Sequence, residues 1–431
     1  MNILRKKNNA TILNPKRNKT EDLNFYSYYA GFSNHFATEL IKSSQLEEGS
    51  IILDPWNGSG TTIKSSTICE IQAIGIDLNP VMVVIAKGNS LHKSEFSSIR
   101  SLFNEICKKS LQLQKGIVVS DKDPLQSWFS KDSIINIRAI EISIKNLLVQ
   151  PDYINKIEWI NNVSCIASFF YIVLFRTLHH FITPFKTSNP TWIKKAKLED
   201  SKINVDLHSL LNFAEGEIEK LINIGTKDNS IKRNQANIYL GSSTKLDLFD
   251  NSIDFVLTSP PYCTRIDYAI ATSLELAILD YDLLEQNELR RKLIGTSTVP
   301  KKPPIASEEW GDTCNLLLKK IENHDSKASK SYYLKNHLQY FNSLALSIKE
   351  ISRVLKYGAK SYLVVQDSFY KDIYNDLAQI CIEMGYNYGL HLDQKVDFPT
   401  NQSMVGINKK TKIYRRTNNT TESVLCFIKQ N

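Results

Sequence analysis

Five consecutive residues, Thr258-Ser259-Pro260-Pro261-Tyr262, hold the most chemistry in this sequence. They follow the apolar run 252–257 (SIDFVL), which reads as a strand, so the turn falls at a strand's carboxyl end, where open α/β sheets bind ligands. Two prolines fix φ and remove N–H donors, leaving a stiff turn whose carbonyl oxygens accept hydrogen bonds. An amino group conjugated to a nucleobase ring is a poor nucleophile. Acceptors aimed at its two hydrogens help it become tetrahedral as it attacks a methyl group, a positional and electrostatic form of catalysis. The Ser259 hydroxyl and the Pro260 carbonyl are the acceptors this reading selects, with Tyr262 stacking on the ring. Taken by itself, the segment also reads as a plain proline turn.

A second segment, DPWNGSGTT, runs from Asp54 to Thr62. Asp54 ends the apolar strand SIILD, and Gly58 and Gly60 lack the Cβ atoms that would hold a bulky ligand off the backbone. Asp77 ends a second apolar strand, IQAIGID, and occupies the place of the acidic residue that binds a ribose hydroxyl in dinucleotide folds. The turn has neither the lysine-serine ending nor the spacing of a P-loop, which disfavours ATP. What remains is a nucleoside cofactor such as S-adenosylmethionine, whose sulfonium charge Asp54 is placed to assist. A tight strand-to-helix connection with no ligand is the competing reading of this turn.

The surrounding elements must bring these two segments together. HFATELIKSSQLEEGS reads as a short helix and a turn, then SIILD as a strand; IQAIGID and LNPVMVVIAKGN follow as strand and helix, a βαβ-type opening. From about 90 to 235 the pattern is helical, as in SIRSLFNEICKKSLQLQKG, SIINIRAIEISIKNLLVQ and LHSLLNFAEGEIEKLINIG. Strand-like sequence resumes with ANIYLGSS and SIDFVLTSPPY, continues in KSYLVVQDS after a long helical stretch, and ends in ESVLCFIK. The chain therefore divides into a basic arm (1–24), a sheet-forming catalytic part (25–90 and 236–431) and a helical insertion (91–235).

Composition narrows the class. With 431 residues and 42% hydrophobic content the chain can bury a sizeable core. The apolar run 166–175 is about half the length needed to cross a bilayer and reads as a buried helix. The N-terminus offers no apolar segment for a secretory signal, so a cytoplasmic protein is expected. Seven cysteines form no CxxC pair and read as reduced, mostly buried thiols. A net charge of +8 permits a polyanionic partner without identifying one. His179 and His180 are adjacent, point apart on a helix and have no nearby cysteine, so they read as structural and no metal is expected.

Together the quoted segments resemble the amino-methyltransferase group of DNA methylases, in which a D-P-F-x-G-S-G-T-T turn binds S-adenosylmethionine and an [S/D/N]-P-P-[Y/F] turn holds the target base. The resemblance spans roughly 25–90 and 236–430, and Trp56 stands where the family usually has Phe. It implies a class I methyltransferase fold, α/β with a seven-stranded, mostly parallel sheet. It also implies cofactor contacts at Phe32, Ser33, Asp54, Pro55, Trp56, Gly58, Gly60, Thr61, Thr62, Asp77 and Leu78, and catalytic roles for Ser259, Pro260, Pro261 and Tyr262. The serine form of the second motif is commoner in N4-cytosine enzymes than in N6-adenine enzymes, so cytosine is the favoured target.

A pocket of this kind reaches an amino group only after the nucleotide leaves the stack of double-stranded DNA. Arg265, Asp267 and Tyr268, just beyond the proline turn, are candidate substrate contacts, as are the charges of RRKLIGTSTVPKKPP, although Arg265 and Asp267 also read as a simple pair. The insertion is the candidate target-recognition region, with a plain helical cap over the sheet as its rival. A separate restriction endonuclease or defence-system partner fits the resemblance. RNA or protein-glutamine methyl transfer, and a catalytically silent DNA-binding protein, are the alternatives.

Overall fold

The computed structural model describes residues 10–16, 24–26, 31–150, 155–187, 189, 192–227, 236–263, 266–400 and 420–430. Helix α1 (Asn34–Ser43) leads into β1 (Ile51–Asp54), α2 (Thr61–Ile68), β2 (Gln72–Asp77) and α3 (Pro80–Asn89). Five helices follow: α4 (Phe96–Leu113), α5 (Lys131–Leu148), α6 (Lys156–Asn162), α7 (Cys165–Phe181) and α8 (Leu207–Lys227). The sheet resumes with β3 (Ala236–Leu240) and β4 (Ile253–Thr258), then α9 (Tyr268–Ala271), α10 (Ser273–Ile278), α11 (Leu283–Lys292), α12 (Asp312–Glu322) and α13 (Leu334–Val354). The chain closes with β5 (Leu355–Gln366), a small ribbon of β6 (Ser368–Tyr370) and β7 (Ile373–Asn375), α14 (Leu377–Asn387), β8 (Leu390–Thr400) and β9 (Thr420–Lys429).

Seven strands form one sheet in the order β3-β2-β1-β4-β5-β9-β8, parallel except for β9, which runs antiparallel to both β5 and β8. This is the expected class I methyltransferase sheet. The order reverses between β1 and β4, so the carboxyl ends of these strands frame the crevice where such sheets bind ligands.

Strand side chains alternate between two cores, as a sheet covered on both faces requires. Phe255, Leu257, Tyr362, Val364, Val424 and Cys426 join α1, α3, α4, α5, α7 and α8. Val256, Leu363, Val365, Leu425 and Phe427 join α12, α13 and α14 on the other face. The insertion thus supplies most of one helical layer, and no strand occurs within it among the described residues. Four polar ties stitch it in place. Lys87 of α3 donates to the carbonyls of Ile160, Asn161 and Val163 at the end of α6. Asn161 accepts from the Leu240 amide of β3, Arg138 of α5 holds the Ala277 and Ile278 carbonyls of α10, and Arg176 of α7 donates to the Phe25 carbonyl.

One detail differs from the sequence reading. Residues 10–16, expected within a basic flexible arm, lie on the core: Ala10 is buried, Ile12 and Leu13 pack against it, and the Pro15 carbonyl accepts from the Ser33 amide at 2.9 Å. The apolar run 166–175 lies inside buried α7 as expected, and no single described helix is long and apolar enough to cross a membrane. His179 and His180 have structural partners: His179 meets the buried carboxylate of Glu275, which Tyr26 also meets, and His180 stacks on Phe213 with ring centroids 4.0 Å apart.

Candidate active site

The strand ends of β1, β2 and β4 open onto a cleft. Of the residues expected to act on cofactor or base, Phe32, Asp54, Pro55, Trp56, Gly58, Thr61, Asp77, Leu78, Ser259, Pro260, Pro261, Tyr262 and Tyr268 line it. The glycine turn and the proline turn, nearly two hundred residues apart in sequence, therefore face one space.

Asp54 is the tie between them. One oxygen accepts from the Thr258 hydroxyl at 2.5 Å and from the Trp56 amide at 3.1 Å; the other accepts from the Thr62 hydroxyl at 2.6 Å. Burial pushes its carboxyl up to about 6 while these donors pull it down. These three bonds fix the two turns to each other, and Asp54 itself lines the cleft. Asp77 is placed differently. Its two oxygens accept from the amides of Gly58 and Asn79, both at 2.8 Å, and it lines the cleft with lone pairs left over. Burial raises its carboxyl to about 6 as well, opposed by those backbone donors.

Gly60 has φ +87°, and a Cβ there would sit 3.0 Å from the Ala86 Cβ of α3. Its glycine is needed for the entry into α2 and for close helix packing. It does not line the cleft, and neither does Thr62 or Ser33. Ser33 caps α1 by accepting from the Phe36 amide at 3.1 Å.

In the proline turn the Ser259 hydroxyl donates to the Val364 carbonyl of β5 at 2.8 Å, which commits its proton and leaves its lone pairs as what it offers the cleft. The Pro261 carbonyl accepts from the buried Tyr340 hydroxyl at 2.9 Å, whereas the Pro260 carbonyl accepts nothing among the described residues. The Tyr262 amide donates to the Tyr268 hydroxyl at 3.3 Å. Two acceptors of the same turn, the Ser259 oxygen and the Pro260 carbonyl, are thus left for a ligand.

Asp267 turns away from this space: it caps α9 and accepts from Arg290 and Ser297, each at 2.7 Å. Arg265 lies outside the described residues. The cleft also includes Lys292, one of the charges the sequence reading selected, and Asn57, Asn79, Met82, Ser242, Ser243, Leu293 and Ile294, which it did not. Ser242 and Ser243 follow the carboxyl end of β3, the signal by which they were open to recognition.

Does a nucleoside carrying an amino acid tail fit? The donor set suits it. Asp77 supplies a carboxylate for a diol, Phe32, Leu78 and Met82 supply apolar walls, and the buried side-chain amide of Asn57 has no hydrogen-bond partner among the described residues. Phe32, Asp77, Leu78, Met82 and the glycine turn are the residues that would hold such a ligand.

Comparisons with known proteins point the same way. A family model described as DNA methylase, of the N6/N4 methyltransferase type, matches residues 5–88, ending with α3 where the insertion begins. The type II methyltransferase M.BsoBI of Geobacillus stearothermophilus is 25% identical over 69% of this chain and 60% of its own length. The type II methyltransferases M.MvaI of Kocuria varians and M.AvaI of Nostoc sp. are 25% and 23% identical, covering 85% and 84% of this chain and 81% and 78% of theirs. The chain thus spans less than two thirds of the first of these relatives. A solved rRNA methyltransferase from Streptomyces viridochromogenes aligns over 95% of this chain and 94% of that one at 11% identity and a TM-score of 0.29, which carries no weight for function.

Proposed function

This chain belongs to the DNA amino-methyltransferase family, and from that premise we propose that it transfers a methyl group from S-adenosylmethionine to the N4 amine of a cytosine turned out of double-stranded DNA. S-adenosylmethionine, when bound, supplies the methyl group on a positively charged sulfur. Everything else in the reaction falls to the chain's own residues. Asp77 accepts the ribose hydroxyls while the Gly58 and Asn79 amides hold its carboxylate still. Phe32, Trp56, Leu78 and Met82 enclose the cofactor and exclude water.

The observation that carries the reading is the pair of free acceptors in the proline turn. An exocyclic amine presents two N–H groups, and the Ser259 oxygen and Pro260 carbonyl accept one each. That arrangement favours a pyramidal nitrogen whose lone pair points away from the ring and toward the methyl group. Tyr262 covers the face of the base. The bond from nitrogen to the methyl carbon would form as the carbon–sulfur bond breaks, leaving a neutral thioether, and the proton the amine then sheds passes to solvent water, so no group in the turn has to act as a base. A stacked base cannot enter this cleft, so eversion precedes the reaction. Serine at position 259 supports cytosine, and the kinship with type II methyltransferases supports a role beside a restriction endonuclease, with the protein acting on DNA in the cytoplasm.

Expression in a bacterial host free of DNA methylation, followed by base-resolved sequencing, tests this directly. We expect N4-methylcytosine within one short recurring motif. Ser259→Ala and Tyr262→Ala should each lower transfer by at least about tenfold while binding of S-adenosylmethionine stays near wild type. N6-methyladenine instead would overturn the choice of base, and unmodified DNA from a folded, cofactor-binding protein would overturn the activity.

A further inference from the structure

Two stretches beside the proline turn have unusual charge. Residues 290–307 contain Arg290, Arg291, Lys292, Lys301 and Lys302 and no acidic residue; residues 326–349 contain Lys327, Lys330, Lys335 and Lys349, again with no acidic residue. These nine cations compare with a net charge of +8 for the whole chain, so the remainder sums close to neutral. Apart from the Arg290 pair with Asp267, none of Arg291, Lys292, Lys301, Lys302, Lys327, Lys330 and Lys335 forms an ion pair among the described residues.

The fold brings both stretches together at the cleft. Gly295, with φ +82°, lies so close to the Tyr262 carbonyl that a Cβ there would be 2.7 Å from it. Beyond that point the first stretch is fastened to the start of α13: Asn336 donates to the Thr296 carbonyl at 2.6 Å, Tyr332 to the Ser297 carbonyl at 2.7 Å, and Lys335 to the Lys301 carbonyl at 3.3 Å. Gln339 reaches the Arg291 carbonyl at 3.3 Å. Lys301 and Lys302 are exposed and flanked by Pro300, Pro303 and Pro304, which limit the backbone freedom lost when a ligand is bound. Lys292 itself lines the cleft.

We propose that this surface, built from the 291–302 stretch and the start of α13, is where the phosphate backbone of the substrate duplex lies as the target base enters the cleft. The proposal rests on the DNA reading above and adds where the backbone runs: along the wall formed by Lys292, Lys301, Lys302, Lys330 and Lys335, on the side of the sheet opposite the helical insertion. Unpaired lysines on a stiff scaffold neutralise phosphates and release condensed counterions, independently of base sequence.

Binding of a short fluorescein-labelled duplex, followed by anisotropy from roughly 50 to 200 mM salt, tests it without knowledge of the recognition sequence. Each phosphate contact adds about −0.9 to the slope of log K against log salt. Lys301→Ala with Lys302→Ala should therefore flatten the slope by about two and leave binding of S-adenosylmethionine unchanged, and Lys330→Ala with Lys335→Ala should flatten it similarly. Lys194→Ala with Lys197→Ala, a pair of exposed insertion lysines, should leave the slope as it is. An unchanged slope in the first two variants, or a loss in the insertion pair instead, overturns this surface while the DNA reading stands. A wild-type protein without salt-dependent duplex binding overturns both.

Discussion

At Asp77 two opposing influences meet on one carboxylate: burial raises its carboxyl to about 6, and the Gly58 and Asn79 amides hold it charged. A ribose hydroxyl donates best to the ionised form, so the proton that arrives below that value must leave before the cofactor binds. The sign follows: affinity for S-adenosylmethionine should be flat from pH 7 to 8 and weaken toward about tenfold per pH unit below about 6. Asp54 titrates over the same range, but its partners are two hydroxyls and an amide of its own turn, so Asp54→Asn should keep the pH dependence that Asp77→Asn abolishes. Calorimetric titration across pH 5 to 8 decides it, and a flat wild-type profile would remove Asp77 from the cofactor site. Both turns were legible in the sequence because each packs its chemistry into adjacent residues. The inward bonding of Thr62, Ser33 and Asp267 was not, since each serves a partner that only the folded chain brings near. Asn57 was missed although it lies inside the quoted glycine turn, and Ser243 although it follows the carboxyl end of β3.

At the level of elements, the proline turn is positioned from behind by a loop distant in sequence. Gly295 abuts the Tyr262 carbonyl in a left-handed conformation, and Tyr340 of α13 holds the Pro261 carbonyl. Gly295→Ala meets both a backbone cost of about 1–2 kcal/mol and a contact that forces the turn to move. We expect kcat to fall by about tenfold to a hundredfold, with cofactor affinity preserved because the glycine turn is untouched. Tyr340→Phe, which removes only the hydroxyl, should produce the same split in milder form. Single-turnover kinetics beside equilibrium cofactor binding would show it; equal losses in both would mean general unfolding. The elements that carry the site were the readable ones: β1, β2 and β4 are short apolar runs ended by Asp or Thr-Ser, and α1, α4 and α8 show clear helical periodicity. Strand β8 escaped recognition because it is an edge with β9 as its one neighbour, and charged residues such as Asp393, Lys395 and Asp397 interrupt its apolar pattern. Strand β5 begins at Leu355, directly after α13, so no turn residues announce it.

For the whole molecule the question is whether the insertion is a module added to a methyltransferase sheet or part of its core. Composition set it apart, since strands stop at one end and resume at the other, and the family match also ends at residue 88. Packing argues the opposite. The buried faces of α4, α5, α7 and α8 share one core with the sheet, and the Arg138 guanidinium, itself buried, divides its bonds between Asp123 of the insertion and two carbonyls of α10. Separating the two parts would expose that apolar core to water and break the two bonds from Arg138 to the α10 carbonyls. Insertion and sheet should therefore unfold together. Tryptophan reports this from both sides, because Trp159 lies in α6 of the insertion and Trp310 lies in the core on the opposite face of the sheet. Two variants, each retaining one of these residues with the other four tryptophans replaced by phenylalanine, should give urea transitions that coincide in midpoint and steepness. An earlier transition at Trp159 alone would mark the insertion as an autonomous unit and would return target recognition to it as a separable task.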